Sequence, residues 1–579
     1  MAPANGPSSI APALFDSALR QLVEFADSHA EWFMTEGGRV PLEINRGDFD
    51  FSPAHGRLIF SSWTQQGSRS WRINEWRHSD DKLILRASRR MGAETTTIEL
   101  VPRASARALV VTIAAARQER CERLAQLMAE GLGDRVLGVE HQHSLSSNEF
   151  ENTDDESNKE TLGKATFIDI DNENSRKASR TKQLHPTPYP QHPSVKIERA
   201  ALSAGMRRDQ PGRYARVILR SPYERVAATA IVAQSDPRNV DSLFSSALLW
   251  FARLQSIPRR PPINRLLLVV EHNILEAARQ RHVLLHDALR ACVALWQVDD
   301  DWSSVQSTPA WERRYLWRKK LPRFPPVIDT SATERVNDLV GLAPAAIDVV
   351  ASRHGHTLRY HGLPFARVRR VMERDHVWFG VEGSPRRLWA AHQHREFAKL
   401  LNDLQTYRSE KCRDRRHWYY RSAGEAWLES ILRRDITKLD PGLIIAPLHA
   451  QFRTSPGGAI GKSGPRPIDL LALRHDGRLV VIELKVNEDR EHVFQGVDYW
   501  RRVEAHRRRG HISAAKLFGD REISDESPLV YLVAPTLRFH PSFATLGRTI
   551  APDIEIYRFD ISEDWRAGVR VVRRERVNT

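Results

Sequence analysis

The chain of 579 residues holds 87 Lys and Arg against 72 Asp and Glu, a formal net charge of +15, with 41% hydrophobic and 27% charged residues. That is ordinary for a soluble globular protein of about three or four domains, and no apolar run approaches the ~18 residues a membrane-spanning helix needs. The cationic excess favours a polyanionic partner, whereas Cys121, Cys292 and Cys412 stand too far apart for a disulfide framework or a clustered Cys zinc site.

The opening residues Met1–Pro7 lack the basic and apolar stretches of a signal peptide, so a cytoplasmic protein is expected. Residues 11–30 read as an amphipathic helix. From Val40 to Val101, short alternating runs (Arg57–Trp63, Ser70–Trp76, Lys82–Arg86, Thr95–Leu100) predict an antiparallel β meander, and a helix over Arg103–Gly131 closes it. Residues 1–140 are therefore expected to be a β-rich domain with flanking helices. Residues 141–194 pair an acidic Ser/Asn-rich half with a basic Pro-rich half around one small apolar cluster, Phe167-Ile168, and predict a disordered charged linker.

A central α/β domain is expected over residues 195–300: a hairpin of Arg213–Arg220 with Arg225–Val232, a helix over Asn239–Leu254, a strand Arg265–Glu271, a helix through Leu289 and a strand Cys292–Val298. Residues 301–415 form a helical and mixed connecting region. In it, Trp311–Lys320 mixes aromatic and basic residues, which suits stacking on bases and equally suits a surface helix with aromatic feet in the core. Ser331–Ser352 reads as helix, Thr357–Val368 and Asp375–Trp389 as short strands, and His392–Arg408 as a helix leading into the last domain, residues 416–579.

Chemistry concentrates in that last domain. The apolar runs Pro467–Leu473 and Val480–Leu484 flank His475-Asp476-Gly477, whose three-residue hairpin loop pairs Arg474 with Arg478 and sets Asp469 opposite Glu483. Residues two apart on a strand share a side, so Glu483 and Lys485 face one way together. Both faces of the pair are apolar, and carboxylates are costly to bury unless paired or bound to a metal. A hard divalent cation such as Mg²⁺ would relieve the repulsion between Asp469 and Glu483. Lys485 would steady charge on an attacking hydroxide or a scissile phosphate.

Asp469 followed by Glu483-Leu484-Lys485 resembles the signature of the PD-(D/E)xK nuclease superfamily, although the same letters fit an exposed hairpin with a surface ion pair. Two flanking features resemble the family as well. The helix around Ser422–Leu432 would supply a further acid, and Glu429 is the expected one, because Ser422-x-x-Glu425 reads as a capping box that occupies Glu425 at the helix start. Gln495-Gly496-Val497-Asp498-Tyr499 resembles the Gln-x-x-x-Tyr motif of RecB-like members. On that helix Val493, Val497, Trp500 and Val503 form one stripe, with Gln495, Tyr499, Arg502 and His506 roughly opposite. This second stripe fits either a solvated polar face or the DNA side of an active site.

The resemblance implies a multidomain α+β and α/β protein ending in a restriction-endonuclease-like α/β core of α-β-β-β-α-β order, and a Mg²⁺-dependent nuclease, with Mn²⁺ able to substitute. Asp469, Glu483 and Glu429 would hold the metal, Lys485, Gln495 and Tyr499 would complete the catalytic set, and Arg502, His506 and Lys462 would contact DNA. The order of the central domain is not far from such a core without its acids. DNA is the expected partner; a separate ATPase and a homodimer are compatible, and no membrane is expected. A non-catalytic nucleic-acid-binding scaffold is the competing class. Gly457–Ser463 imitates a phosphate-binding P-loop but has Pro456 where the first Gly belongs, and the scattered histidines match no zinc spacing.

Overall fold

The computed structural model of the chain describes residues 12–579 apart from 38–41, 55–56, 65–66, 80–81, 90–94, 146–194, 205–211, 222, 234–238, 259–260, 319–331, 353–354, 372–373, 382–386 and 446–468. The expected linker, Lys462 and the P-loop imitation fall outside the described residues, the linker but for its first five positions. The described chain is mixed α/β with four sheets, and no described helix is long and apolar enough to cross a membrane.

The alternating runs at the start form a seven-stranded antiparallel sheet between Glu31 and Pro102. Trp32, Phe49, Phe60 and Leu85 fill its buried face together with Leu22 and Ala26 of a helix over Pro12–Asp27. The next helix, α1 (Arg107–Leu145), does more than close this sheet. Ile113, in its second turn, packs with Phe33 and Ala106. Its later turns bury Cys121, Leu124 and Met128 against Val217, Ala228 and Leu267 of the next sheet, so α1 joins two units and the expected boundary at 140 falls inside it.

That second sheet has six strands in chain order: β1 (Lys196–Leu202), β2 (Tyr214–Arg220), β3 (Arg225–Ile231), β4 (Ile263–Glu271), β5 (Val293–Val298) and β6 (Val305–Ser307). Helix α2 (Val240–Gln255) links β3 to β4, and α3 (His272–His282) follows β4. Both connections join parallel neighbours, as crossover helices must. Central strands buried on both faces require continuous apolar runs, and β3 is buried at every position.

A five-stranded antiparallel sheet follows between Ile347 and Leu388. Its first strand, Ile347–Ser352, lies where a helix over Ser331–Ser352 was expected. The helix there spans only Glu334–Gly341, because Pro344 cannot continue it. In the described part of that stretch, residues 311–318, Trp311 and Trp317 pack against the core. A 3-10 turn over Arg313–Trp317 sets Trp317 at 6.3 Å from Trp500, with Arg279 over Trp311.

The last sheet comprises β7 (Leu443–Ile445), β8 (Leu470–Arg474), β9 (Leu479–Leu484), β10 (Leu529–Pro535), β11 (Ile556–Ile561) and β12 (Val571–Arg576), again in chain order. Helix α4 (Gly424–Arg434) covers one face. Helix α5 (His492–Arg507) covers the other between β9 and β10, and α6 (Phe543–Gly547) follows β10. One core runs from α2 and α3 through α5 to β10, so the two six-stranded units share their interior.

Candidate active site

The site is built where β9 ends. Between β8 and β9 the chain turns at His475-Asp476-Gly477, with Arg474 N–H donating to Arg478 O at 2.8 Å and Gly477 in the left-handed region at φ 79°. That turn fixes Leu471 opposite Val481 and Leu470 opposite Ile482, the register expected from the sequence. Asp469 stands just before β8, and its Oδ2 accepts the Leu484 N–H at 2.9 Å. Backbone pairing therefore holds the Asp469 carboxyl against the end of the strand that carries Glu483.

Glu483 is 2% exposed. Its Oε1 accepts from Lys485 Nζ at 2.8 Å, and its Oε2 has no hydrogen-bond partner. Burial, with the Glu483 charge alongside, pushes the Asp469 carboxyl well above the ordinary carboxylate range. Burial works against the Lys485 ammonium, but Glu483, Glu425 and Asp469 outweigh it and raise its pKa, so it stays charged at neutral pH. Its backbone N–H, bound to Val533 O at 2.9 Å, anchors it to β10.

The helix acids are placed differently from expectation. The capping box does not form: α4 begins after Ala423 in a left-handed conformation, with no side-chain cap, and Ser422 Oγ is buried without a partner. Glu425 lies with Oε1 at 3.9 Å from Lys485 Nζ. Glu429 is buried and ion-paired with Arg433 at 2.7 Å, and Arg433 in turn donates to Asp469 O at 3.3 Å. Glu429 thus reaches Asp469 through Arg433, with one of its carboxylate oxygens taken by that ion pair.

A further acid, Asp489, lies with Oδ2 at 3.7 Å from Lys485 Nζ. Gln495 is buried, with Nε2 at 3.4 Å from both Asp489 and Glu491, so the Gln-x-x-x-Tyr helix reaches the site through that loop. Tyr499 instead packs under the sheet with Leu471 and Val481. Arg502 pairs with Asp498, and His506, 1% exposed, meets His511 at 3.0 Å. The stripe expected to face solvent or DNA is therefore covered by protein. His506 is buried and Arg502 half-buried, each already holding a partner within the chain, in place of the open face expected to contact DNA. His492 backs Glu483 with a ring nitrogen 3.3 Å from its carbonyl, and burial together with the Lys485 charge lowers its pKa to about 3, keeping it neutral.

Two adjoining carboxyls, one oxygen of them buried and unpartnered, fit a hard divalent cation. Among the described residues no three His, Cys, Asp or Glu side chains converge as a ready ligand set. Asp469 and Glu483 are the pair that fits. The sequence reading set Glu425 aside for its capping pattern and did not single out Asp489, which sits in the charged turn Glu488-Asp489-Arg490-Glu491. Comparison with protein-family models, curated proteins and solved structures found no match to the chain.

Proposed function

We propose that the chain hydrolyses phosphodiester bonds in DNA at the Asp469–Glu483–Lys485 cluster, with Mg²⁺ as cofactor and Mn²⁺ able to replace it. The observation that carries this reading is the buried Glu483 carboxylate with an unpartnered oxygen, beside Asp469 and bridged to Lys485. Burying two carboxyls side by side costs stability, a cost that a bound divalent cation would offset. When bound, the divalent cation would supply Lewis-acid activation of water and neutralise phosphate charge.

The chain's own residues do the rest. Asp469, held by the Leu484 N–H, and Glu483, held by Lys485, orient the oxygen donors. Lys485 keeps its proton and presents positive charge where negative charge gathers on the phosphate. Arg433, tied to Glu429, fixes the Asp469 backbone. The net positive charge of the chain favours approach of a polyanion.

The test is cleavage of linear and circular DNA, single- and double-stranded, with Mg²⁺, Mn²⁺ or EDTA, by wild type, Lys485→Ala and Asp469→Ala. Metal-dependent cutting by wild type, lost in both variants, is expected. Wild type that binds DNA but never cuts it, with a candidate ATPase added as well, would leave the scaffold reading in place of the nuclease.

A further inference from the structure

The two six-stranded units repeat each other. Each has six strands in spatial and chain order. In the central unit β1–β2 and β2–β3 are antiparallel, β3–β4 and β4–β5 parallel, and β5–β6 antiparallel. In the C-terminal unit β7–β8 and β8–β9 are antiparallel, β9–β10 and β10–β11 parallel, and β11–β12 antiparallel. A helix ahead of the strands covers one face in both, α1 or α4. The crossover after the third strand is a 16-residue helix in both, α2 or α5.

The units also meet as two subunits of a symmetric dimer would, through equivalent elements. Phe244 of α2 and Phe494 of α5 lie 5.8 Å apart. The segment after α3 pairs with the segment after α6: Leu285 bridges Ile550, His286 N–H donates to Thr549 O at 2.8 Å and Ala551 N–H to Leu284 O at 3.0 Å. Such reciprocal bonds between equivalent segments mark a local two-fold relation. Arg281 of α3 reaches Asp498 of α5 at 2.6 Å inside the same contact.

The chemistry is not repeated. On the helix-covered face that holds Glu483 in the C-terminal unit, β3 presents Ala227, Thr229 and Ile231, paired across β2 with Ile218, Arg216 and Tyr214. None of the six is a carboxylate, so these described positions do not repeat the acid pair. Thr229 Oγ1 is bound to Ala215 O at 2.7 Å, and Tyr214 bonds Ser242, which fills the equivalent place. Ser245 of α2 meets Arg490 O at 3.4 Å, so the central unit braces the loop that carries Asp489.

We propose that the central unit is a catalytically silent copy of the C-terminal unit, docked where a second subunit would sit, so that one chain carries one cutting centre and breaks one DNA strand per encounter. The strand-cutting part rests on the function proposed above. The structural part does not: the helix face a twin subunit would use is already occupied within the chain.

The experiment takes the full chain through sedimentation and then gives it supercoiled plasmid with Mg²⁺ under limiting enzyme. A particle of one chain's mass and accumulation of nicked circles, with linear DNA appearing only after most circles are nicked, are expected. Lys485→Ala is expected to abolish nicking completely. Linear DNA formed in the first event without a nicked intermediate, a dimer as the cutting species, or residual nicking by Lys485→Ala from a second site each overturns the inference. If wild type cuts nothing with either metal, the nuclease reading and the single-strand consequence fall together. Sedimentation still decides the docked copy: a single-chain particle supports it and a dimer overturns it.

Discussion

Lys485 is anchored by its backbone to β10 while its ammonium gathers Glu483, Glu425 and Asp489 within 4 Å. Removing it leaves Glu483 buried with both oxygens unpaired and removes charge stabilisation, so Lys485→Ala is expected to take cleavage below detection, a loss of more than about 10²-fold. Asp469 carries the pH dependence. Its folded pKa is raised above the ordinary value of an aspartate, so between those two values the folded state holds a proton that the unfolded state releases. Stability of the metal-free protein from this group therefore falls as pH rises through that window. Asp469→Asn keeps an acceptor for the Leu484 N–H and removes the buried charge. In EDTA at neutral pH it is expected to melt higher than wild type, with a flatter pH profile, while Mg²⁺ stabilises only wild type; a variant melting lower in EDTA would contradict this. The two helix acids separate by readout. Glu425→Gln is expected to reduce cleavage with stability nearly unchanged, because Glu425 is 44% exposed. Glu429→Gln strands the buried Arg433 and should cost about 3 kcal/mol or more in denaturant unfolding. Equal stability losses in the two variants would reject this division.

The elements that hold the site depend on two close fits. A Cβ on Gly496 would lie 2.5 Å from Leu532 Cδ2 and 3.1 Å from Val530 Cγ1, so α5 sits on β10 at a distance at which any larger residue would make those side chains shift. Arg408, fully buried after the helix His394–Tyr407, donates to the carbonyls of Tyr360, His361, Tyr419, Ser422 and Ala423, clamping the five-stranded sheet to the start of α4. Arg408→Leu leaves those carbonyls without their donor, and each buried unsatisfied group costs about 1–3 kcal/mol. The variant is expected to lower the melting temperature and to weaken cleavage with it, since α4 carries Glu425 and Glu429; an unchanged melting temperature would show the clamp to be dispensable. The same clamp explains why the capping box was misread. Arg408 takes the Ser422 and Ala423 carbonyls and sets the entry to α4, a contact 14 or 15 residues away that a local cap pattern cannot contain.

At the scale of the molecule, what was legible was local. Alternation of period two and a Gly477 turn set the β8–β9 register and brought Asp469 to Glu483, and the order of the C-terminal unit and of β2 to β5 in the central unit followed from apolar runs and their breaks, whereas the edge strands β1 and β6 were not read. What was not legible depends on partners distant in sequence. The polar stripe of α5 reads as solvated or DNA-facing until Tyr499 is seen packed with Leu471 and Val481 of β8 and β9 and His506 set against His511, while α2 and α3, more than 200 residues upstream, take the apolar stripe of Val493, Val497 and Trp500. Asp498 shows what that burial demands. It is 2% exposed and pairs with Arg281 at 2.6 Å and Arg501 at 2.7 Å, and also with Arg502. Burial alone would raise its pKa; Arg281, Arg502 and Arg501 instead hold it far below the ordinary range. Its depressed pKa contributes stability that is present above the unfolded value and lost only as pH falls through the folded one. Asp498→Ala leaves three guanidinium groups facing one another between the two units and is expected to cost about 3–5 kcal/mol. Arg281→Met should be similarly costly, because Asp498 and Asp241 both lose it. The double variant Arg281→Met with Asp498→Leu replaces the pair by apolar contact, so its loss is expected to fall well below the sum of the two single losses. Denaturant unfolding of the four proteins measures this directly. Additive losses would mean that Arg281 and Asp498 stabilise their own units separately, and that the contact between the units does not depend on their pairing.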